Sequence, residues 1–296
     1  MNTLKKVSAF GVLVLVSSSV LAGPNLSFAS NANNYQSGIQ GADLSTYLNA
    51  SSGDVSMTAT AWSSALHGGQ QHCVDPGQAD MNAYDRCIHR AELTRYGTSG
   101  LGAINIDEGD DTPNHSVDNN SLDYDMILLS FNKDVNLTDL YTGWNYSYKN
   151  LDNDGNYTSR TWGNAGASVM AYTGSNFSTK QFSSTTTWAD TLSQGWSVIN
   201  EDFKSSGSYQ YGSKWLQQLP ITSTNSPVFS KYWLVGAAHN ISRDAGNITD
   251  HIKIAGVSFV KKPNTPDGNG NPVNAPATFG LFSAFMALAM YRRKKA

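Results

Sequence analysis

Residues Val55, Met57, Ala59 and Ala61 alternate with Ser56, Thr58 and Thr60, the period of a strand with one face buried. Further apolar runs of strand length follow at Asp125–Asn132, Leu140–Tyr148, Ala167–Tyr172, Trp196–Asn200, Tyr232–His239 and Ile252–Val260. Clusters of Gly, Asn, Asp and Ser separate them, and such residues close turns between strands. Helical spacing is confined to two short stretches, Trp188–Leu192 and Lys214–Leu219, each no more than a turn. The polar stretch from His67 to Arg90, with Gly-Gly and Asp-Pro-Gly, reads as a loop or insertion. The pattern predicts an all-β fold, a single β-sandwich of jelly-roll type.

Both ends break this pattern. Residues 1–22 run from Lys5 and Lys6 through the apolar stretch Ala9–Val20 to Val20-Leu21-Ala22, the layout of a signal peptide cut between Ala22 and Gly23 by signal peptidase. At the other end Ala277–Met290 is apolar and leads into Tyr291-Arg292-Arg293-Lys294-Lys295. That run is shorter than the roughly 20 residues of an ordinary spanning helix. The basic cluster would stay cytoplasmic and hold the body of the chain outside the inner membrane. Residues 263–274 are a Pro/Gly/Asn linker. The expected organisation is therefore a signal peptide (1–22), an extracellular domain (23–262), the linker, and a C-terminal segment (275–296) with a short transmembrane helix.

Composition agrees with an exported β domain. Charged residues make up 15%, and the formal net charge of -3 offers no electrostatic basis for nucleic-acid binding. The 23 acidic residues include just three Glu (Glu92, Glu108, Glu201), so helix-favouring carboxylates are scarce. Two cysteines, Cys73 and Cys87, most simply form one disulfide in an oxidising compartment. The rival is a metal site built from His72, Cys73, Cys87 and His89, which is disfavoured because neighbouring residues on a strand point to opposite faces.

Candidate chemistry gathers in the acidic stretch from Asn105 to Asp125. Its carboxylates, Asp118, Asp123 and Asp125 among them, suit Ca²⁺, a cation that takes six to eight oxygen ligands; a solvated acidic loop is the plainer reading. Asn150 to Gly155, with Asp152 and Asp154, matches the first half of an EF-hand loop, but Thr161 stands where the bidentate Glu belongs. Trp144, Tyr146 and Tyr148 share one face of a strand, with Trp162 close behind. Such a row could stack on sugar rings, or it could be cross-strand pairing and core. No Gly-x-Ser-x-Gly, His-Glu-x-x-His or phosphate-binding glycine loop occurs, and no catalytic residue is expected.

Two resemblances follow from particular residues. Asn274-Ala275-Pro276-Ala277, the short apolar run and the terminal Arg292-Arg293 resemble the PEP-CTERM class of sorting signals, read by exosortases, with Asn-Ala-Pro where that class has Pro-Glu-Pro. His115–Asn119, Asp123–Phe131, Val135, Gly143-Trp144, Ala167–Gly174, Tyr232–Ala238, Asp250 and Lys253 resemble the exosortase-dependent surface protein family. The resemblance implies a protein exported across the inner membrane, anchored transiently, processed by an exosortase-type enzyme and delivered to the cell surface or matrix beside exopolysaccharide. It carries no catalytic residues. A carbohydrate-binding, lectin-like module is the alternative function, and a polysaccharide hydrolase the more distant one.

Overall fold

A computed structural model of the chain describes residues 24–29, 35–36, 38–39, 46–64, 87–105, 116–119, 124–151, 157–183, 185–211, 214–222, 226–238 and 248–263. The signal-peptide residues Ala22 and Gly23, and the sorting residues Ala275, Pro276, Ala277, Arg292 and Arg293, lie outside them, as do Cys73, Asp123, Asp152 and Asp154. The described strands are β1 (Leu26–Ser27), β2 (Tyr35–Gln36), β3 (Leu48–Ser52), β4 (Val55–Ser64), β5 (Ile88–Tyr96), β6 (Gly100–Ile104), β7 (Val117–Asp118), β8 (Tyr124–Leu151), β9 (Tyr157–Trp162), β10 (Ala167–Tyr172), β11 (Trp196–Phe203), β12 (Gly207–Tyr211), β13 (Lys214–Pro220), β14 (Ser230–Ala237) and β15 (Ile248–Lys261). A short helix, α1 (Trp188–Ser193), interrupts them.

The fold is all-β, as the alternation predicts. Pairing runs β15-β6-β5-β4-β8, and β8 also pairs with β15, so five strands close into a ring. From β8 the sheet continues outward through β14, β10 and β11. The expected jelly-roll sandwich is not what this pairing draws, because two facing sheets would require an open edge where β15 meets β8. Local alternation reports which face of a strand is buried but not which edge it pairs with.

The main core fills with Met57, Ala59 and Ala61 of β4, Ala91 and Leu93 of β5, Leu101 and Ala103 of β6, and Ile252 and Ile254 of β15. Alanines recur because a five-stranded ring leaves little interior width. The outward extension is buried on both faces. Ile127, Leu129 and Val235 join the main core, while Met126, Leu128 and Leu234 pack with Trp62, Trp188 and Trp196 in a second cluster. Burial on both sides explains why Met126–Leu129 and Trp233–Val235 read as continuous apolar runs rather than alternating ones. The helix caps the second cluster: Thr187 and Asp190 form a capping box, and the Trp188 indole N–H donates to the Tyr124 carbonyl at 3.1 Å.

Two glycines permit the closure. Gly100 has φ +104 and would drive a Cβ into the Ile254 backbone, so β6 can reach β15 only without a side chain there. At Gly143 a Cβ would sit 2.5 Å from the Ser99 carbonyl oxygen, where the turn before β6 presses against β8.

Other departures from the sequence reading are local. Asp125–Asn132 and Leu140–Tyr148 belong to one 28-residue strand. Lys214–Leu219 is not a helical turn but strand β13, paired with β12 and with β8. The end of the supposed loop to Arg90 opens β5, and the last strand begins at Ile248 rather than at Ile252.

Candidate aromatic face

Along β15, Ile252 and Ile254 point into the main core, so His251 and Lys253 occupy the opposite face by strand alternation. The second half of β8 meets them there. The Tyr148 ring stands edge-on to His251 at 4.8 Å, and the Lys253 Nζ lies 5.1 Å from the centre of the Trp144 ring. Trp144, Tyr146 and Tyr148 therefore share a face, as the period-two spacing predicts.

These rings form a row. Trp144 and Tyr146 are 4.9 Å apart, Tyr146 and Tyr148 6.3 Å. Strand β9 adds Trp162, registered opposite Tyr146, with ring centres at 4.9 Å in an edge-to-face arrangement. Such cross-strand aromatic pairs stabilise the sheet. The row is graded in exposure: Tyr148 is buried, Trp144 and Tyr146 are half-buried, and Trp162 is 45% exposed. The buried end is structural packing, and the open end presents an indole to solvent.

Tyr96, at the end of β5, comes to the row from the other side. Its ring centre is 4.1 Å from Lys253 Nζ, and the residue is 40% exposed. Lys253 is thus held between two aromatic faces, and burial lowers its pKa from the ordinary 10.5 to about 8. Tyr96 and Lys253 are absent from the sequence-based candidates for this face. The alternation His251-Ile252-Lys253-Ile254 was a signal for Lys253, but one lysine in a strand reads most simply as solvated.

Asp118 pairs β7 with β15 opposite His251 and is buried. The Ser116 hydroxyl donates to Asp118 Oδ2 at 2.9 Å; His251 Nδ1 is 3.2 Å from that oxygen and 3.2 Å from Ser116 Oγ. Serine, histidine and aspartate are together, but Ser116 and Asp118 meet the same ring nitrogen. A hydrolytic relay needs them on opposite nitrogens, so these contacts do not form one. Asp125 is buried in β8, registered opposite Ser63. Among the described residues no three His, Cys, Asp or Glu side chains gather into a metal-binding group. Cys87 is buried just before β5 and is disulfide-bonded.

A separate open groove of about 540 Å³ is lined by Asn49, Thr58, Asn132 and Tyr232. Its amides are already engaged: Thr58 donates to Asn49 Oδ1 at 2.8 Å, and Asn132 Oδ1 accepts from the Ser56 N–H at 2.9 Å. Fold and site together define an all-β, ring-closed domain carrying an aromatic face around a buried lysine. No family model, no curated protein and no solved structure matches the chain.

Proposed function

We propose that the chain is an exported surface or biofilm-matrix protein, processed at its C-terminal sorting signal, that holds exopolysaccharide on the aromatic face without chemically altering it. Signal peptidase and an exosortase-type enzyme are the processing partners in this reading. The observation that carries it is the row Trp144–Tyr146–Trp162, contiguous across β8 and β9 and ending in an exposed indole. Aromatic faces stack on the apolar faces of sugar rings, and an exposed, pre-ordered row loses little entropy on binding. The resemblance to exosortase-dependent surface proteins supports the same setting.

The test is retention of the purified chain on immobilised polysaccharides, with Trp162→Ala as the control. Trp162 is exposed, so its loss should leave the fold intact while reducing retention by about tenfold, the scale of one lost stacking contact. Unchanged retention would remove this face from the reading. Ca²⁺ belongs to the proposal as the cation suited to the acidic stretch. Metal bound to the native state alone must raise the melting temperature, so a melt unaffected by EDTA excludes it.

A further inference from the structure

Lys253 is 2% exposed, and among the described residues its Nζ meets two ring faces, Tyr96 and Trp144, and no carboxylate or carbonyl acceptor. Ring faces attract a cation but accept none of its three N–H donors in the directed way an oxygen does. An ammonium that has lost most of its water is costly until an oxygen acceptor arrives. Structural need does not explain the charge, because the same position could be filled by an apolar chain of equal length. The ammonium is also continuous with the exposed aromatics, through Tyr96 on one side and through Trp144 and Tyr146 to Trp162 on the other.

We propose that this face binds an acidic polysaccharide, with sugar rings lying on Tyr146 and Trp162 and a sugar carboxylate reaching Lys253 beside Tyr96. The proposal rests on the sugar-binding reading above and names its substrate class. A carboxylate delivered to Lys253 would make a charge-assisted hydrogen bond in a site largely screened from water, where such a bond is stronger than in the open. The aromatic row selects a sugar chain over a simple anion, since a free anion would use the ammonium and leave the rings uncovered. The formal charge of -3 on the chain is no obstacle. Charges more than about 8 Å away are screened at physiological ionic strength, so the nearby cation governs.

The experiment compares polygalacturonate with its methyl ester, polymers of the same backbone that differ in charge, for binding to the purified full chain. The acid form should bind about tenfold more tightly than the ester, the scale of one charge-assisted hydrogen bond. Added salt should narrow that gap. Lys253→Met, which keeps length and removes charge, should bind both polymers equally, at the level of the ester. Trp162→Ala should weaken binding to both. Equal affinity of the unaltered chain for acid and ester would overturn the acidic-sugar assignment while leaving the sugar face standing. So would a preference for the acid that survives in Lys253→Met. Binding to neither polymer, or binding to both that Trp162→Ala leaves unchanged, would overturn the sugar-face reading itself. Should the methionine variant fail to fold, Lys253→Arg, which keeps the charge, and Tyr96→Ala, which opens the approach to the ammonium, replace it. The preference for the acid should persist in the first and change in the second, and a preference indifferent to both overturns the assignment to Lys253.

Discussion

At the scale of single residues, Asp118 and Lys253 are both buried on this side of β15, in different company. The carboxyl of Asp118 has hydrogen-bonding partners in Ser116 and His251, whereas the ammonium of Lys253 has aromatic faces. Tyr96 from β5 and Trp144 from β8 face that ammonium, and His251 lies two positions along its own strand. Its folded-state pKa of about 8 lies below the ordinary 10.5, so the unfolded chain binds the proton more tightly. The stability contribution is therefore complete above pH 10.5, shrinks as pH falls toward 8, and stays at its low value below that. That gap in pKa corresponds to about 3 kcal/mol. Lys253→Met should accordingly be more stable than the unaltered chain at pH 7, by up to about 3 kcal/mol. Its advantage should narrow as pH rises from 8 to 10.5. Denaturant midpoints measured in pairs across this range test the point. A constant difference would show that Lys253 is not desolvated. Trp144, Tyr146 and Tyr148 were legible from their spacing. Tyr96 and Lys253 were not, because what distinguishes them is a contact between strands distant in the chain.

At the scale of elements, β8 shows how far local patterning reaches. Its two apolar halves were both visible, but their union was not, because the polar residues Asn132–Asp134 between them resemble a turn while remaining in strand. In β13 the pattern misleads for a physical reason. Leu216 and Leu219 are three apart, as on a helix face. In the strand they point different ways, Leu216 to a small cluster with Tyr141 and Ala255 and Leu219 to the main core. Pairing with β12 and β8 overrides the local spacing. Gly143 belongs to this scale too, since it lets Ser99 press on β8. Gly143→Ala should destabilise the domain by about 2–4 kcal/mol through the backbone clash it creates. Gly207→Ala meets open space and should change stability by no more than about 0.5 kcal/mol. Equal midpoints for the two variants would refute the close approach at Gly143.

At the scale of the whole molecule, the compact unit holding the ring ends at Val260. Under the proposed function, the residues beyond Asn274 hold the chain at the membrane until it is processed. A chain ending at Asn274 should then appear in the medium on cell fractionation, while the full chain remains with the surface. Surface retention of the shortened chain would show that another region directs sorting. The sequence by itself determined the all-β class, the positions of β4, β8, β10, β11, β14 and β15, and the shared face of Trp144, Tyr146 and Tyr148. Burial imposes those features locally, through a side-chain period of two. Tertiary structure alone decided that β15 closes onto β8 and that Lys253 is enclosed by Tyr96 and Trp144. Strand pairing is chosen by backbone edges and close approaches between segments far apart in the chain, and the periodicity of a single segment carries no record of them.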